Sequence, residues 1–459
     1  MSIDTIAAIA TGNDVSAIGI IRLSGPRAIE IANAVFTEQT GLAALDFTSR
    51  MLYYGTIRDT ADAVLDRCLC WVARAPHSYT GEDTAEFQCH GGVLLLQLVL
   101  EALFAHGARQ AEAGEFTKRA FLNGKLDLAQ TEAIGDLIHA ETAAAAKNAA
   151  NGISGAIALA TDAIYQSLAS ILAHFHAAVD YTDEDIAPFH LEAYRQVLRE
   201  HANTLANLRQ SHQRGQLLTH GIPTTIIGRP NAGKSSLLNA LVGYDRAIVT
   251  ATPGTTRDTV QARLCLGDTL LCLIDTAGLR KTDDAIELEG IARTRAAANE
   301  AKLLFAVFDG SAPLGEADSE VIEIANHAAD GVHAIALINK SDLPVQMNDA
   351  PIRAAFRHIL PVSAKTKTGI AQLESLLQSL YCGSTRDSGY LLTNPRQLNA
   401  VTRTKAHIEA AESAMIAGQT PDAVLTDLEA AMQALAELTG RTVRDDVIKQ
   451  IFAQFCVGK

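Results

Sequence analysis

Aromatic side chains make up only 5% of the 459 residues, and tryptophan occurs once, at Trp71. Cores in such a chain are built from aliphatic and small residues, and frequent alanine favours closely packed helices. Basic residues are outnumbered, 38 Lys and Arg against 52 Asp and Glu, for a formal net charge of −14. That balance excludes a protein whose main affinity is a broad cationic surface for nucleic-acid phosphate, although a local patch or a basic partner stays open. The seven cysteines (Cys68, Cys70, Cys89, Cys265, Cys272, Cys382 and Cys456) form no CxxC pair, so neither a disulfide framework nor a zinc site is suggested. His174 and His176 on an Ala-rich helix fall on different faces, not at chelating spacing. The run Gly91 to Ala105 is broken by Gln97 and Glu101 and is too short to span a bilayer. With no cationic stretch ahead of an apolar one at the N-terminus, the expectation is a soluble, cytoplasmic protein without a membrane partner.

What is present is a chain of changing periodicity, long enough for about three domains. The first ~120 residues read as mixed α/β, with strands at Ile3–Ala10, Ala17–Leu23, Met51–Ile57 and Ala63–Val72 and a helix ending at Ala105. From Gly114 to about Arg214 the pattern is helical, and Leu126, Ala129, Ala133 and Leu137 are expected to form one buried stripe with Ile134 and Ile138 beside it. From Thr224 short apolar strands alternate with helices, the layout of a parallel sheet. After Cys382 helices return: Pro421 opens one, Gly440 ends it, and a last helix carries Val447, Ile451 and Phe455. The expected fold class is multidomain α/β: an α+β domain at 1–119, and a discontinuous helical domain at 120–219 and 381–459. An α/β domain at 220–380 is inserted between the two helical parts.

Four motifs fall at strand ends of the inserted domain, in order. Gly228 to Ser235 fits G-x-x-x-x-G-K-[ST], a loop whose backbone N–H groups curl around phosphate oxygens. In it, Asn231, Ala232, Gly233, Lys234, Ser235 and Ser236 are the phosphate-binding candidates. Lys234 can reach the β- and γ-phosphates, and the Ser235 hydroxyl can ligate Mg²⁺. Asp275-Thr276-Ala277-Gly278 supplies a carboxylate toward the Mg²⁺ and a backbone approach to the γ-phosphate. Asn339-Lys340-Ser341-Asp342 supplies a carboxylate that reads the guanine N1–H and 2-amino donors, and Ser363-Ala364-Lys365 closes over the base. Each motif alone is weak; four in order on one sheet define a P-loop GTPase domain. Thr250 and Thr255 lie on the loop before Thr256, the candidate second Mg²⁺ ligand.

Leu279 stands where many GTPases place a water-orienting glutamine, so another group must act. Asn231 either shapes the loop or holds a monovalent cation together with backbone carbonyls of Thr250 to Thr255, in the place of an arginine finger. Glu287 or Glu289 either orients the nucleophilic water or lies on a solvated helix face.

Taken together, these motifs resemble the MnmE (TrmE) family of tRNA wobble-uridine modification GTPases, among the TrmE-Era-EngA-like GTPases. Further residues carry the resemblance: Asp4–Ala8, Ile21-Arg22-Leu23-Ser24-Gly25, Tyr79-Thr80-Gly81-Glu82-Asp83, His90-Gly91-Gly92, Gly114-Glu115-Phe116, Ala120–Leu128 and the terminal Phe455-Cys456-Val457-Gly458-Lys459. It spans essentially the whole length. Two departures are the loop Thr11–Ala17, which lacks a Pro-Gly-Arg-Gly run, and Ala251, where an acidic residue is common.

The resemblance implies GTP with Mg²⁺, and K⁺ held by Asn231, Thr250, Thr252 and Thr255. It implies Glu287 as the residue that orients water, and a homodimer through the N-terminal domain. Arg22, Glu82 and Lys125 match contacts to 5-formyl- or methylene-tetrahydrofolate, and Cys456 is matched without a defined role. FAD enters only through the partner MnmG, with which the complex would add a carboxymethylaminomethyl or aminomethyl group at C5 of the wobble uridine of tRNA. The competing readings are a GTPase switch in ribosome assembly, disfavoured by the negative charge and the C-terminal pentapeptide, and a stand-alone one-carbon transferase regulated by GTP.

Overall fold

The computed structural model describes residues 4–12, 14–180, 191–242, 262–274, 295–329, 331–382, 390–441, 451–452, 455 and 457–458. They divide into two compact units. The first comprises 1–135, 152–184 and 425–459, and the second 136–151 and 185–424.

Unit 1 holds a seven-stranded sheet. Its strands are β1 (Thr5–Ile9), β2 (Ser16–Ser24), β3 (Phe36–Glu38), β4 (Tyr53–Arg58), β5 (Val64–Ala73), β6 (Thr84–Gly91) and β7 (Ala108–Gln110), in the order β3-β4-β5-β6-β2-β1-β7. Among the described residues of this sheet, only β1 and β7 pair in parallel. Helices α1 (Ala28–Val35) and α2 (Val93–Ala105) cover one face through Ile21, Leu23, Val72, Phe87, Val99 and Leu103. Cys68, Cys70 and Cys89 are buried in this core; the hydrogen bond between the Cys68 and Cys89 thiols, with burial, raises the pKa of Cys68, and burial raises that of Cys70. On the opposite face of β1, Ile6 and Ala8 pack with Ala111 and with Phe116 of α3 (Glu115–Leu122).

β6, central in the sheet, is absent from the sequence reading. Its inward residues are Ala85, Phe87 and Cys89, two of them small, and Glu86 and Gln88 alternate with them, so the apolar signal is faint. The expected stripe on α4 (Leu128–Ile138) is corrected in part: Leu128, Ala129 and Ala133 are buried, whereas Leu137 and Ile138 are exposed. α6 (Ala156–Asp180) buries Ile157, Thr161, Ile164, Leu168, Ile171 and Phe175, a three-and-four spacing that makes one continuous stripe. Its stretch Ala156–Ala177 is, by length and composition only, apolar enough to cross a membrane. The chain's last described residues return to the sheet: Val457 bridges Ala113, and Gly458 (φ +99) sits against the Ile9 carbonyl.

Unit 2 contains a six-stranded sheet of β8 (Ile222–Ile227), β9 (Ala262–Leu266), β10 (Thr269–Leu273), β11 (Leu303–Asp309), β12 (His333–Asn339) and β13 (His358–Pro361). The order is β13-β12-β11-β8-β10-β9. The expected sheet was all parallel; β9 is an added antiparallel edge that hairpins into β10. β11 is buried along its whole length, as a central parallel strand must be. The long helices α7 (Leu191–His220) and α12 (Pro395–Ile416) pack together in this unit, and a Cβ at Gly215 of α7 would collide with the Leu392 carbonyl. The Asn148 side chain of α5 (Ala143–Ile153) accepts from Leu391 N at 2.8 Å and donates to Leu391 O at 3.1 Å, fixing the segment ahead of α12.

Candidate functional site

β8, β11, β12 and β13 end at one edge of the unit 2 sheet, where an open α/β fold receives ligands. β8 runs into Gly228, whose φ of +155 and close approach to the Val307 carbonyl (2.5 Å from an added Cβ) leave no room for a side chain. Gly233 (φ +94) is equally constrained, because a Cβ there would press on the Asn339 amide. Between them Asn231 takes φ +63, and α8 (Lys234–Val242) starts at the lysine. Asn231, Ser235 and Ser236 are exposed.

Lys234 Nζ donates to the carbonyls of Gly228 at 2.7 Å and Arg229 at 2.9 Å, and burial holds its ammonium below the usual lysine range. A cation resting on the loop's own carbonyls needs little rearrangement to meet phosphate oxygens instead.

Buried Asn339 joins two motifs. Its Nδ2 donates to Ala232 O at 3.0 Å, and its Oδ1 accepts from Ala364 N at 3.1 Å. Ser363 Oγ donates to Asp342 Oδ1 at 2.6 Å, and this bond holds the exposed Asp342 carboxyl below the usual range, with Lys365 adding to the effect. Lys340 (φ +62) reaches Asp309 Oδ2 at 2.7 Å, while Ser311 N and Oγ donate to Oδ1. Burial would raise the Asp309 carboxyl; Lys340 and Ser311 outweigh it and lower it.

Arg229, on the phosphate loop, lies 3.5 Å from Asp318 and 3.9 Å from Asp309. Motif reading missed Arg229, Asp309 and Asp318; the only signal was Asp309 at the end of an apolar run. Thr250, Thr252, Thr255, Thr256, Asp275, Thr276, Ala277, Gly278, Glu287 and Cys456 lie outside the described residues.

In unit 1, Arg22, Glu82 and Lys125 gather around the segment 76–82. Glu82 Oε2 accepts from Ser24 Oγ at 2.8 Å and from Arg119 Nη1 at 3.0 Å. The Lys125 stem lies against Gly81 (φ +77), and its Nζ donates to Pro76 O at 3.1 Å. Arg22 donates to Glu86 Oε1 at 2.5 Å, and its guanidinium carbon lies 5.7 Å from the ring centres of Tyr79 and Phe116.

Behind Glu82 is a clasp the sequence did not disclose. Buried Arg119 also meets Asp4 at 2.9 Å and Glu115 at 3.0 Å, and Arg109 meets Asp4 at 2.5 Å and Glu115 at 2.6 Å. For Asp4 and Glu115 burial would raise the pKa, but the two arginines prevail and lower it. The clasp therefore orients Glu82 through Oε2.

The fold and the strand-end loops define a P-loop GTPase. A family model described as the MnmE helical domain matches residues 128–456, and one described as the GTP-binding protein TrmE N-terminus matches 5–125. The tRNA modification GTPase MnmE of Carboxydothermus hydrogenoformans is 38% identical over 462 residues, covering 99% of each chain. That of Geobacillus thermodenitrificans is 39% identical over 465 residues, again 99% of each, and that of Synechococcus sp. (strain JA-3-3Ab) is 40% identical, covering 99% of this chain and 98% of the other. The chain belongs to the MnmE family of tRNA modification GTPases.

Proposed function

We propose that this protein is a K⁺-dependent GTPase whose cycle drives modification of the wobble uridine of tRNA, in complex with the FAD-dependent partner MnmG. The reading is supported above all by the guanine-side cluster, in which Asn339 ties the phosphate loop to the Ser363–Lys365 loop while Ser363 orients Asp342. A carboxylate held ionised and aimed by a buried hydroxyl suits a base edge bearing two donors, which guanine has and adenine lacks.

Lys234 then binds the β- and γ-phosphates together with Ala232, Gly233, Ser236 and the Asp275–Gly278 segment. Ser235 and Thr256 would hold Mg²⁺, and Asn231 with the carbonyls of Thr250, Thr252 and Thr255 would hold K⁺. The open loop around exposed Asn231 and Ser235 fits hard cations that take oxygen ligands. Bound there, the cations supply positive charge against the charge that develops on the transferred phosphoryl group. Glu287 orients the attacking water.

In the N-terminal domain (1–119), which pairs two copies, Glu82 accepts from the amino group and ring N–H of a reduced pterin through its remaining oxygen. Arg22 and Lys125 meet the rest of a tetrahydrofolate that carries a one-carbon unit. Cys456 takes part in the modification reaction. The helical domain (120–219 and 381–459) carries the G domain (220–380).

Turnover of GTP in matched KCl and NaCl buffers, over a range of protein concentration, tests the proposal. Faster hydrolysis in KCl that rises with concentration is expected. Equal rates in both salts would remove the cation from the mechanism and return Asn231 to a purely structural role.

A further inference from the structure

Arg229, a variable position of the phosphate-loop motif, is engaged through both its backbone and its side chain. Its carbonyl accepts from Lys234 Nζ at 2.9 Å and from Ala232 N at 3.3 Å. Its guanidinium reaches two carboxylates that follow from β11. Asp309 ends that strand, and Asp318 lies in the first turn of α9 (Glu316–Asn326).

Arg229 Nη1 is 3.5 Å from Asp318 Oδ2, and Nη2 is 3.9 Å from Asp309 Oδ2. Asp318 is only 1% exposed. Its Oδ2 caps α9 by accepting from Gly315 N at 2.9 Å, while its Oδ1 is buried with no hydrogen-bond partner among the described residues. A carboxylate so placed favours a cation beside it, and the open oxygen leaves a second acceptor for the fork of the same guanidinium. Asp309 Oδ2 also takes Lys340 Nζ at 2.7 Å, so the phosphate loop and the base-side loop meet at one carboxylate.

The backbone at Arg229 has little freedom. Pro230 follows and biases it toward extended backbone, and Gly228 before it lies tight against the Val307 carbonyl. With the side chain held as well, the direction of the Arg229 carbonyl is set, and with it the resting place of the Lys234 ammonium. A loop held in this way loses less conformational freedom when a nucleotide binds.

We propose that Arg229 is a positioning residue for nucleotide binding: Asp318 and Asp309 hold its guanidinium so that its carbonyl keeps the loop open and Lys234 aimed at the phosphates. The inference rests on Lys234 as a phosphate ligand and adds the support that the motif leaves unspecified. Such support serves GDP, GTP and the transition state alike, so its loss weakens binding without slowing the chemical step.

The test uses the full-length protein, with GDP binding by calorimetry, GTP hydrolysis and thermal unfolding. Arg229→Met is expected to raise the Kd for GDP and the KM for GTP about tenfold each, the low end for a hydrogen bond to a charged group, with kcat within about twofold of wild type. Asp318→Asn keeps an acceptor for Gly315 N but removes the charge, and raises both about fivefold. The double variant binds no more weakly than Arg229→Met alone, because both changes remove one ion pair. Arg229→Lys keeps the charge without the fork and stays within about threefold of wild type. A merely structural role would lower the melting temperature of these variants and leave the Kd of the folded protein unchanged. Wild-type GDP affinity in Arg229→Met, or in Asp318→Asn where Arg229→Met does not fold, overturns the proposal, as do losses that multiply in the double variant. Lys234→Met separates the two readings. GDP affinity that survives it overturns the phosphate-site reading, whereas affinity that it abolishes and Arg229→Met leaves intact overturns this inference alone.

Discussion

The two candidate sites are built on opposite plans. The described part of the nucleotide site is made of short segments in which neighbours along the chain do the work, such as Gly228 to Ser235 or Asn339 to Asp342. The site on the N-terminal sheet is made of pairs far apart in sequence: Arg119 with Asp4, Arg22 with Glu86, Ser24 with Glu82. Backbone groups and glycines can bind phosphate with few side-chain partners. A polar cluster on a sheet face must instead satisfy its own charges before it can present any to a ligand.

That difference predicts how each site breaks. At the nucleotide site Asp342→Asn removes a charged acceptor for two donors and is expected to weaken GTP binding by a hundredfold or more, on the order of two charge-assisted hydrogen bonds. Titration with GTP, ITP and XTP checks it, and unaltered GTP affinity would withdraw Asp342 from base reading.

In unit 1 the largest loss is expected in stability, not binding. Arg119→Met leaves Glu82 and Glu115 without their buried cation and should cost about 3–5 kcal/mol, read by thermal or denaturant unfolding of the full chain. A variant as stable as wild type would mean that Arg109 alone holds the clasp.

Ser363→Ala gives a smaller effect. It keeps Asp342 but frees its orientation, so KM for GTP should rise about five- to tenfold with kcat little changed, the equivalent of one hydrogen bond. An equal fall in kcat would assign Ser363 a further part.

The smallest effect is a pH dependence. The Asp4, Glu115 and Asp309 carboxyls are all lowered in the folded protein. Their stabilisation is complete above the ordinary carboxylate value of about 4 and is lost as pH falls through the lower folded values. Acid unfolding should begin only below that value, and Arg119→Met should flatten the Asp4 and Glu115 share while leaving that of Asp309.

The same contrast explains what the sequence disclosed. Loop motifs carry their geometry in consecutive residues, so the phosphate loop, the Asn339–Asp342 segment and the strand ends were legible. Asp309, Asp318 and Arg229 were not, because their pairing depends on where α9 (Glu316–Asn326) packs after β11. Arg22, Glu82 and Lys125 were reached through family resemblance alone. Their clustering depends on β6, whose small inward residues hid the strand, and on a clasp between Asp4 and α3. The antiparallel strand β9 escaped because its apolar residues merge with those of β10 across the tight turn at Gly267.

The return of Val457 and Gly458 to the first sheet has a consequence for synthesis. The first unit draws on residues 425–459, so it cannot be completed when its opening segments leave the ribosome. At about 5–20 residues per second, the stretch 185–424 takes on the order of tens of seconds to translate. Through that interval the nascent N-terminal sheet waits with the Ala113 position unbridged, while the intervening unit has the whole of its own sequence available. The order of emergence thus sets the nucleotide-binding unit to be finished first and the N-terminal sheet last, although translation starts with the sheet.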